Sequence, residues 1–232
     1  MVLTLPIREV VPATPRARVL RLDLHGEHFP YLPGQAVFVA THDHEARRPY
    51  SLATAPEDAA RDNYLELLIG MNSQGTAGPH LALDQGSLVD VEGPVGRFVL
   101  PSDLEGERFL FIAGGTGIAP LRAMMHRVLA GNYRSIGVLY SARTVNDFAY
   151  ESELRDLARS GRIELRQTVT RDVGEDWSGA RGRIGSSELA SLVHDPETLC
   201  FICGPPALVH DMPKLLGEIG VPPGRIRIEE WS

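Results

Sequence analysis

From residue 2 to about residue 100, apolar and polar positions alternate in short stretches, interrupted by Pro33-Gly34, Gln85-Gly86 and Gly93-Pro94. Alternating stretches at even spacing, without long helical periods, are typical of an antiparallel barrel or sandwich. The pattern predicts strands at residues 3–11, 17–24, 35–41, 64–69 and 87–92, and one short helix around residues 78–83. We therefore expect the first part of the chain to be an antiparallel β-barrel.

After Pro101 the pattern changes, because apolar strands now alternate with amphipathic helices. Strands are predicted at residues 108–113, 135–141, 162–169, 199–203 and 225–229, and helices near residues 118–130, 151–160, 186–193 and 206–218. This alternation predicts a parallel sheet with crossover helices, that is, an α/β domain. Residues 101–107 are polar and turn-forming, so we expect a boundary there, with domains at residues 1–102 and 103–232.

One stretch of the second part combines a strand, a tight turn and a helix start: Phe109-Leu-Phe-Ile-Ala-Gly-Gly-Thr-Gly-Ile-Ala-Pro120. Glycines let backbone N–H groups approach an anion closely, and a helix N-terminus adds partial positive charge, so a phosphate is the natural ligand. Pro120 stands where the dinucleotide-binding fingerprint has its third glycine, and proline is tolerated in the first turn of a helix. An ordinary strand-to-helix turn is the alternative.

Composition sets limits on the class of protein. The chain has 232 residues, of which 43% are hydrophobic and 23% charged, an ordinary globular balance. Its net charge of −7 disfavours nucleic acid or an anionic membrane as a partner. No basic segment with an apolar core opens the chain, and no run approaches the roughly 18 apolar residues of a membrane span. We therefore expect a soluble, cytoplasmic protein.

Two residue groups suggest a metal or disulfide site at first sight. Cys200 and Cys203 have C-x-x-C spacing, but they lie in an apparent strand and should point to opposite faces, on the order of 10 Å apart. No second cysteine pair completes a zinc or iron–sulfur site. His42 and His44 belong to a polar stretch that is expected to be a loop. No metal site is therefore expected.

The segment Arg48-Pro49-Tyr50-Ser51 places three useful chemistries in four residues. An arginine can bind a pyrophosphate through two hydrogen bonds, a tyrosine can lie flat against an aromatic ring, and a serine can donate one neutral hydrogen bond. On its own, this segment can equally be the start of a surface strand.

Together with the glycine turn, this segment resembles the ferredoxin–NADP reductase superfamily, and the likeness covers essentially the whole chain. Its members join an N-terminal flavin-binding barrel to a C-terminal α/β domain that binds the pyridine nucleotide. The motifs occur in family order: Arg48-Pro-Tyr-Ser51, Gly75-Thr-Ala-Gly-Pro-His-Leu81, Gly93-Pro-Val-Gly96, Gly114-Gly-Thr-Gly-Ile-Ala-Pro120, Cys203-Gly-Pro205 and Glu229-Glu-Trp-Ser232.

The resemblance implies an FAD site in the barrel. Arg48 would neutralise the flavin pyrophosphate, Tyr50 would stack on the isoalloxazine, and Ser51 would hydrogen-bond N5. Two short segments complete the implied site. The first would present backbone N–H groups to the pyrophosphate and consists of Gly75, Thr76, Ala77 and Gly78. The second would contact the flavin through its backbone and consists of Leu67, Leu68 and Ile69. Pro49 belongs to the same binding strand. The family usually has serine or threonine where Gly78 stands, so one hydroxyl contact is missing.

In the second domain the resemblance implies an NAD(P)H site. The glycine turn, with Gly115, Thr116, Gly117 and Pro120, would hold the dinucleotide. Cys203, followed by Gly204 and Pro205, would sit beside the nicotinamide C4; a buried packing role is its alternative. The last strand and the tail supply two more implied residues. Glu229 would relay protons near the flavin or end a strand as a surface carboxylate, and Trp231 would cover the flavin face or plug the domain interface.

The preference between NADH and NADPH depends on the ends of two strands. Ser141 and Arg143 end one predicted strand, and Thr170 and Arg171 end the next. Arginines there can pair with a 2′-phosphate, with Arg181 or Arg183 in reach. Asp147 can equally face a ribose, so the sequence favours NADPH while leaving dual use open.

The sequence therefore predicts an FAD-dependent reductase that takes hydride from NAD(P)H and passes electrons to a separate acceptor: a ferredoxin, a flavodoxin or an oxygenase component. The chain is expected to act as a monomer. One alternative is an NAD(P)H:flavin oxidoreductase that releases reduced free flavin. Another is a non-catalytic flavin-binding subunit.

Overall fold

The computed structural model describes residues 1–171 and 177–230 of the chain. Its first half is an antiparallel six-stranded sheet. The strands are β1 (Val2–Thr14), β2 (Ala17–Asp23), β3 (Ala36–Thr41), β4 (Arg48–Ser51), β5 (Tyr64–Gly70) and β6 (Leu88–Val95). They are ordered β4-β3-β6-β1-β2-β5, and an isolated bridge between Leu52 and Leu67 joins the two edges. The predicted antiparallel β-barrel is confirmed.

Alternation explains the interior of the barrel. Along β5, Leu65, Leu67 and Ile69 are fully buried in one cluster with Leu20, Leu22 and Val91. Leu68 faces the other way and joins the core of the second domain. Strand β5 therefore contributes side chains to the hydrophobic cores of both halves of the molecule.

Two predictions for the barrel are wrong. The only α-helix that the structure describes before Pro101 is α1 (Pro56–Asp62), which the sequence interpretation missed. Proline at its first turn and acidic residues beside it, Glu57 and Asp58, are ordinary helix-start signals. The helix expected around residues 78–83 is absent. Gly78 has φ +109° and Pro79 follows it, so the backbone turns instead of coiling.

The second half is a parallel sheet with helices, as predicted; it has six strands, and helices cover both of its faces. Its strands are β7 (Arg108–Gly114), β8 (Ser135–Ala142), β9 (Glu164–Val169), β10 (Ala180–Arg181), β11 (Leu199–Gly204) and β12 (Ile226–Glu230). Its helices are α2 (Ile118–Leu129), α3 (Glu151–Arg159), α4 (Ser186–Ala190) and α5 (Pro206–Glu218). The strand order is β10-β9-β8-β7-β11-β12.

The two faces of this sheet have separate cores. On one face, Phe111 of β7 packs with Met124 of α2 and Leu154 of α3. Two residues of the first half, Leu68 and Phe98, belong to the same core. On the other face, Ile112 of β7 packs with Leu189 of α4 and Met212 of α5. The first core runs without a break from one half of the molecule to the other, which fixes their relative position.

Details of the second half differ from expectation. Helix α4 ends at Ala190, shorter than the predicted 186–193, and the two-residue strand β10 was not predicted. Cys200 and Cys203 belong to the cores on opposite faces of the sheet, as their spacing predicted. Among the described residues, no helix combines the length and apolarity needed to cross a membrane.

Candidate functional site

A cavity of about 470 Å³ lies where the carboxyl ends of β7, β8 and β11 meet the barrel. In open parallel sheets, ligands bind at this edge. Several residues predicted to bind a cofactor line it: Leu68, Gly115, Thr116, Gly117, Ser141, Arg143, Thr170, Gly204 and Pro205. Barrel residues Thr14, Arg16 and Met71 complete the wall. The cavity therefore belongs to both halves of the molecule.

The glycine turn forms the floor of the cavity through very close packing. Strand β7 ends at Gly114, a single 3-10 turn covers Gly115–Gly117, and α2 begins at Ile118 with Pro120 buried in its first turn. A Cβ on Gly117 would lie 2.3 Å from the carbonyl oxygen of Cys203, so no larger residue fits. No side chain caps α2. The Ile118 N–H already donates to the carbonyls of Gly115 and Thr116, and Pro120 has no N–H, so a phosphate can use only the other N–H groups of this helix start.

The ends of β8 and β9 carry the arginines expected to select the coenzyme. Arg143 is exposed and lines the cavity, whereas Arg171 is exposed outside the lining and donates its backbone N–H to the Arg143 carbonyl at 3.0 Å. Arg183 lies 4.0 Å from Asp211, in an ion pair with α5. Arg143 is thus the arginine best placed for a 2′-phosphate.

Asp147 is held by partners from both halves of the molecule. Arg16, in the turn between β1 and β2, pairs with it at 2.5 Å, and Thr144 donates both its hydroxyl and its N–H to it. Its carboxylate lines the cavity but is already hydrogen-bonded, which limits what it can offer a ribose. The sequence interpretation missed Arg16, because its partner is distant along the chain.

On the barrel, the side chains of β4 change from exposed to buried along the strand. Arg48 and Pro49 are exposed, Tyr50 is half-buried, and Ser51 is buried. The strand ends at Ser51. Burial raises the pKa of Tyr50 although the charge of Arg48 opposes it, so the phenol is neutral at pH 7.

Ser51 and Glu229 meet across the two halves of the molecule. The Ser51 hydroxyl donates to Oε2 of Glu229 at 3.5 Å. Glu229 lies on β12 in register with Cys203 of β11, and Cys203 is in register with Ala113 of β7. Three of the predicted catalytic residues therefore lie at one place in the fold. Cys203 is fully buried, which fits the packing alternative as well as a role beside the coenzyme.

The loop at Gly75–Gly78 is held by its own side chains. Asn72 accepts the N–H groups of Gln74 at 2.9 Å and Thr76 at 3.1 Å, and donates to the Thr76 hydroxyl. Gly75 and Gly78 have φ +75° and +109°. The loop is a turn and not a helix start, so the expected helix N-terminus at the pyrophosphate is wrong, and the Thr76 N–H is already used.

A group of buried and half-buried polar side chains, the interface cluster, joins the two halves of the molecule. It consists of Asp58, Glu66, Arg122, His126, Tyr150 and Glu153. Arg122 donates to Glu66 at 3.2 Å, to the Ala53 carbonyl at 2.7 Å and to Glu153 at 2.9 Å, and its guanidinium stacks over the ring of Tyr150. The sequence interpretation missed this cluster. Glu66 is a charged residue within the otherwise apolar strand β5, and this indicates in the sequence that it has a buried partner.

His126 connects two carboxylates in this cluster. Its Nδ1 lies 3.0 Å from Asp58 of α1 and its Nε2 lies 2.6 Å from Glu153 of α3. Burial lowers the pKa of His126, but these two carboxylates raise it by more. Burial alone would raise the pKa of Glu153, yet His126 and Arg122 lower it to about 2. The cluster therefore joins the two halves as a charged unit at neutral pH.

Three candidate residues remain: His42, His44 and Trp231. His42 contacts Asp90 at 2.8 Å and His44 contacts the Ala46 carbonyl, and residues 1–171 and 177–230 contain no group of three potential metal ligands. Trp231 lies outside the described residues, so its role over the flavin stays a prediction.

The residues present fit two nucleotide cofactors. The barrel offers an exposed arginine, a neutral phenol and a positive-φ glycine loop, and the α/β half offers uncapped helix N–H groups beneath a cavity. These donors suit pyrophosphate groups and an aromatic ring system.

Comparison with known proteins agrees with this site. Residues 4–100 match the family model described as the oxidoreductase FAD-binding domain, and residues 111–214 match the oxidoreductase NAD-binding domain. The chain is 33% identical to ferredoxin–NADP reductase B of Sorangium cellulosum, over 96% of this chain and 95% of that protein.

Solved structures have the same architecture. The Amycolatopsis cytochrome P450 reductase GcoB is 26% identical with a TM-score of 0.85, covering 99% of this chain and 69% of that one. A ferredoxin–NADP+ reductase from Neisseria gonorrhoeae, solved with FAD and NADP, is 19% identical with a TM-score of 0.81, covering 99% of this chain and 98% of that one. The chain belongs to the ferredoxin–NADP reductase family of FAD- and NAD-binding oxidoreductases.

Proposed function

We propose that this chain is an FAD-dependent reductase that transfers electrons from NAD(P)H to a separate acceptor protein. The observation that carries the proposal is the contact between Ser51 of the barrel and Glu229 of the α/β half. Glu229 is in register with Cys203, and Gly204, the next residue after Cys203, lines the cavity that both halves share. The two nucleotide-binding halves meet there, as a transfer between two cofactors requires.

The roles of the side chains follow from their positions. Arg48 binds the flavin pyrophosphate, because it is an exposed cation beside Tyr50, whose ring supports the isoalloxazine. The N–H groups at the start of α2 bind the coenzyme phosphates, and Arg143 binds the 2′-phosphate of NADPH. Cys203, in register with Glu229, shapes the place where the nicotinamide ring lies.

FAD held by these residues would supply the redox chemistry, namely acceptance of a hydride from NAD(P)H and release of two electrons one at a time. The protein supplies alignment and a proton path. The Ser51 hydroxyl donates a hydrogen bond to Glu229. If Oγ accepts a proton from the flavin edge while its own proton passes to the carboxylate, this pair relays one proton and the serine stays neutral.

The acceptor is a small redox protein or an oxygenase component. Two similarities support this class: the relative named ferredoxin–NADP reductase B, and the structural neighbour described as a cytochrome P450 reductase. We further propose that the chain acts as a monomer in the cytoplasm, where its coenzyme is available.

A second candidate function is NAD(P)H:flavin oxidoreductase, in which flavin is a substrate that leaves. One observation favours it: in the Gly75–Gly78 loop, Asn72 already accepts the N–H groups of Gly75 and Thr76. Fewer free donors at the pyrophosphate would weaken flavin retention.

One experiment separates the two functions. The protein is loaded with FAD, passed through a size-exclusion column and mixed anaerobically with NADPH and oxidised ferredoxin, flavodoxin or cytochrome c. The reductase proposal expects one FAD per chain to coelute at the monomer volume and the protein acceptor to be reduced. FAD that elutes separately and acts as a saturable substrate would support the flavin oxidoreductase, and no NAD(P)H oxidation under either condition would contradict both.

A further inference from the structure

His80 is a buried polar side chain that none of the roles above uses. It is 1% exposed, in the segment that follows the Gly75–Gly78 loop. Its Nε2 lies 2.8 Å from the hydroxyl of Tyr50, and the two rings are nearly parallel, with 15° between their planes and 5.9 Å between their centroids. His80 therefore holds the tyrosine that faces the proposed flavin site.

The other nitrogen of His80 has no hydrogen-bond partner in the described part of the chain. Nδ1 is fully buried, and a Cβ placed on Gly78 would lie 3.3 Å from it. Burial, with the nearby charge of Arg48, lowers the pKa of His80, so the ring is neutral at pH 7. A neutral imidazole has one N–H group and one lone pair, so the proton is on either Nε2 or Nδ1.

The surroundings favour the proton on Nε2. If Nδ1 carried it, a buried N–H group would have no acceptor, which is rarer in proteins and costs more than a lone pair without a donor. With the proton on Nε2, His80 donates to the oxygen of Tyr50. The hydroxyl hydrogen of Tyr50 must then point away from His80, toward another acceptor.

We propose that His80 is a positioning residue for the flavin: it donates to Tyr50, fixes the phenol ring and directs the tyrosine hydroxyl as a donor toward bound FAD. This inference rests on the FAD site of the proposed function. The support of His80 is rigid, because its carbonyl accepts the N–H of Thr41 on β3 at 2.9 Å. The glycine at position 78 leaves room for the ring, since a Cβ there would crowd Nδ1.

Two substitutions at this position form a matched pair. His80→Gln places an amide near the former Nε2 and can still donate to Tyr50. His80→Asn carries the same amide one methylene shorter, so it reaches only the Nδ1 region. Each is made in the wild-type protein and in the Tyr50→Phe background, and His194→Gln, at an exposed histidine, serves as the surface control. Thermal unfolding of each apo-protein verifies that it folds.

The measurements are the dissociation constant of FAD for the apo-protein and the residual fluorescence of bound FAD, which a stacked tyrosine quenches. We expect His80→Asn to weaken FAD binding about tenfold and raise the residual fluorescence, and His80→Gln to stay within about twofold of wild type. In the Tyr50→Phe background, the Asn and Gln variants should bind FAD equally, because the hydroxyl on which His80 acts is gone.

Two results would overturn the inference: equal FAD binding by the Asn and Gln variants when Tyr50 is present, or a difference of the same size in the Tyr50→Phe background. The proposed function fails in a different way, through a wild-type apo-protein that does not bind FAD at all. A failure of His80 alone leaves wild-type binding of one FAD per chain intact.

Discussion

The arginines at the boundary between the two halves differ in where their counter-charge comes from. In the interface cluster, Arg122 has an 11% exposed side chain and pairs with Glu66 and Glu153, and Arg21 pairs with Glu66 at 2.7 Å. At the cavity and on β4, Arg143 and Arg48 are exposed and form no ion pair with any residue of 1–171 or 177–230.

This difference indicates that arginine has two roles at this boundary. A paired, buried arginine holds the structure together, because removing it leaves a carboxylate buried without its partner. An exposed arginine beside a cavity can accept a phosphate from a ligand. Substitutions in the first group should therefore change stability, and those in the second group should change ligand binding.

The largest expected effect is on stability, for Arg122→Met. Methionine keeps the hydrophobic stem but leaves Glu66 with fewer partners, so we expect a loss of about 3 kcal/mol in the free energy of unfolding, measured by urea denaturation. The matched control on the same helix is Arg127→Met, whose exposed pair with Glu57 at 3.4 Å should contribute less than about 1 kcal/mol. Equal losses in the two variants would contradict the distinction.

Arg48→Ala should weaken FAD binding by roughly 1.5–3 kcal/mol, about 10- to 150-fold, because it removes a charge-assisted contact to the pyrophosphate. The free energy of unfolding of the apo-protein should be unchanged. Its neighbour is the control: Arg47 pairs with Asp90 and Glu92, so Arg47→Ala should leave the FAD dissociation constant near wild type. Wild-type FAD affinity in Arg48→Ala would refute its assignment.

Arg143→Ala should raise the KM for NADPH about tenfold and leave the KM for NADH within about twofold, since only NADPH carries the 2′-phosphate. Arg171→Ala should have a smaller effect, because Arg171 lies outside the cavity lining. Steady-state kinetics with both coenzymes are the measurement. Equal effects of Arg143→Ala on both coenzymes would remove the predicted preference for NADPH.

The smallest expected effect is a pH dependence of stability from His126. Its pKa in the folded protein is raised by Glu153 and Asp58, so its contribution is fully present below its unfolded pKa of about 6.5 and is lost as the pH rises through the folded value. Urea denaturation at a series of pH values above about 6.5 measures this. His126→Gln should flatten that part of the profile, and an unchanged slope would show that the histidine does not titrate there.

Hydrophobic patterning was sufficient for most of the strands and for the order of the two halves, because burial on one face of a strand leaves a period of two in the sequence. It failed at α1, because a helix of seven residues is too short to show a helical period of apolar residues. It also failed at residues 78–83, because this short segment is a turn. A proline start and a left-handed glycine decided those segments instead.

Motifs predicted most of the candidate site, since Arg48, the glycine turn and Cys203 lie in short runs that local chemistry explains. Contacts between distant residues were not visible in the same way. Arg16 with Asp147, Tyr50 with His80, and Arg122 with Glu66 each join segments that only the folded chain brings together. The charge of Glu66 within an apolar strand was the single local sign of the interface cluster.

The central claim is that a coenzyme held by the α/β half reduces a flavin held by the barrel. The most direct test mixes FAD-loaded protein anaerobically with NADPH or NADH, in ordinary form and with deuterium at C4, while the flavin absorbance near 450 nm is followed. The account predicts rapid, saturable loss of this band with at least one coenzyme, slower with the deuterated form. Bound FAD that stays oxidised with both coenzymes would contradict it.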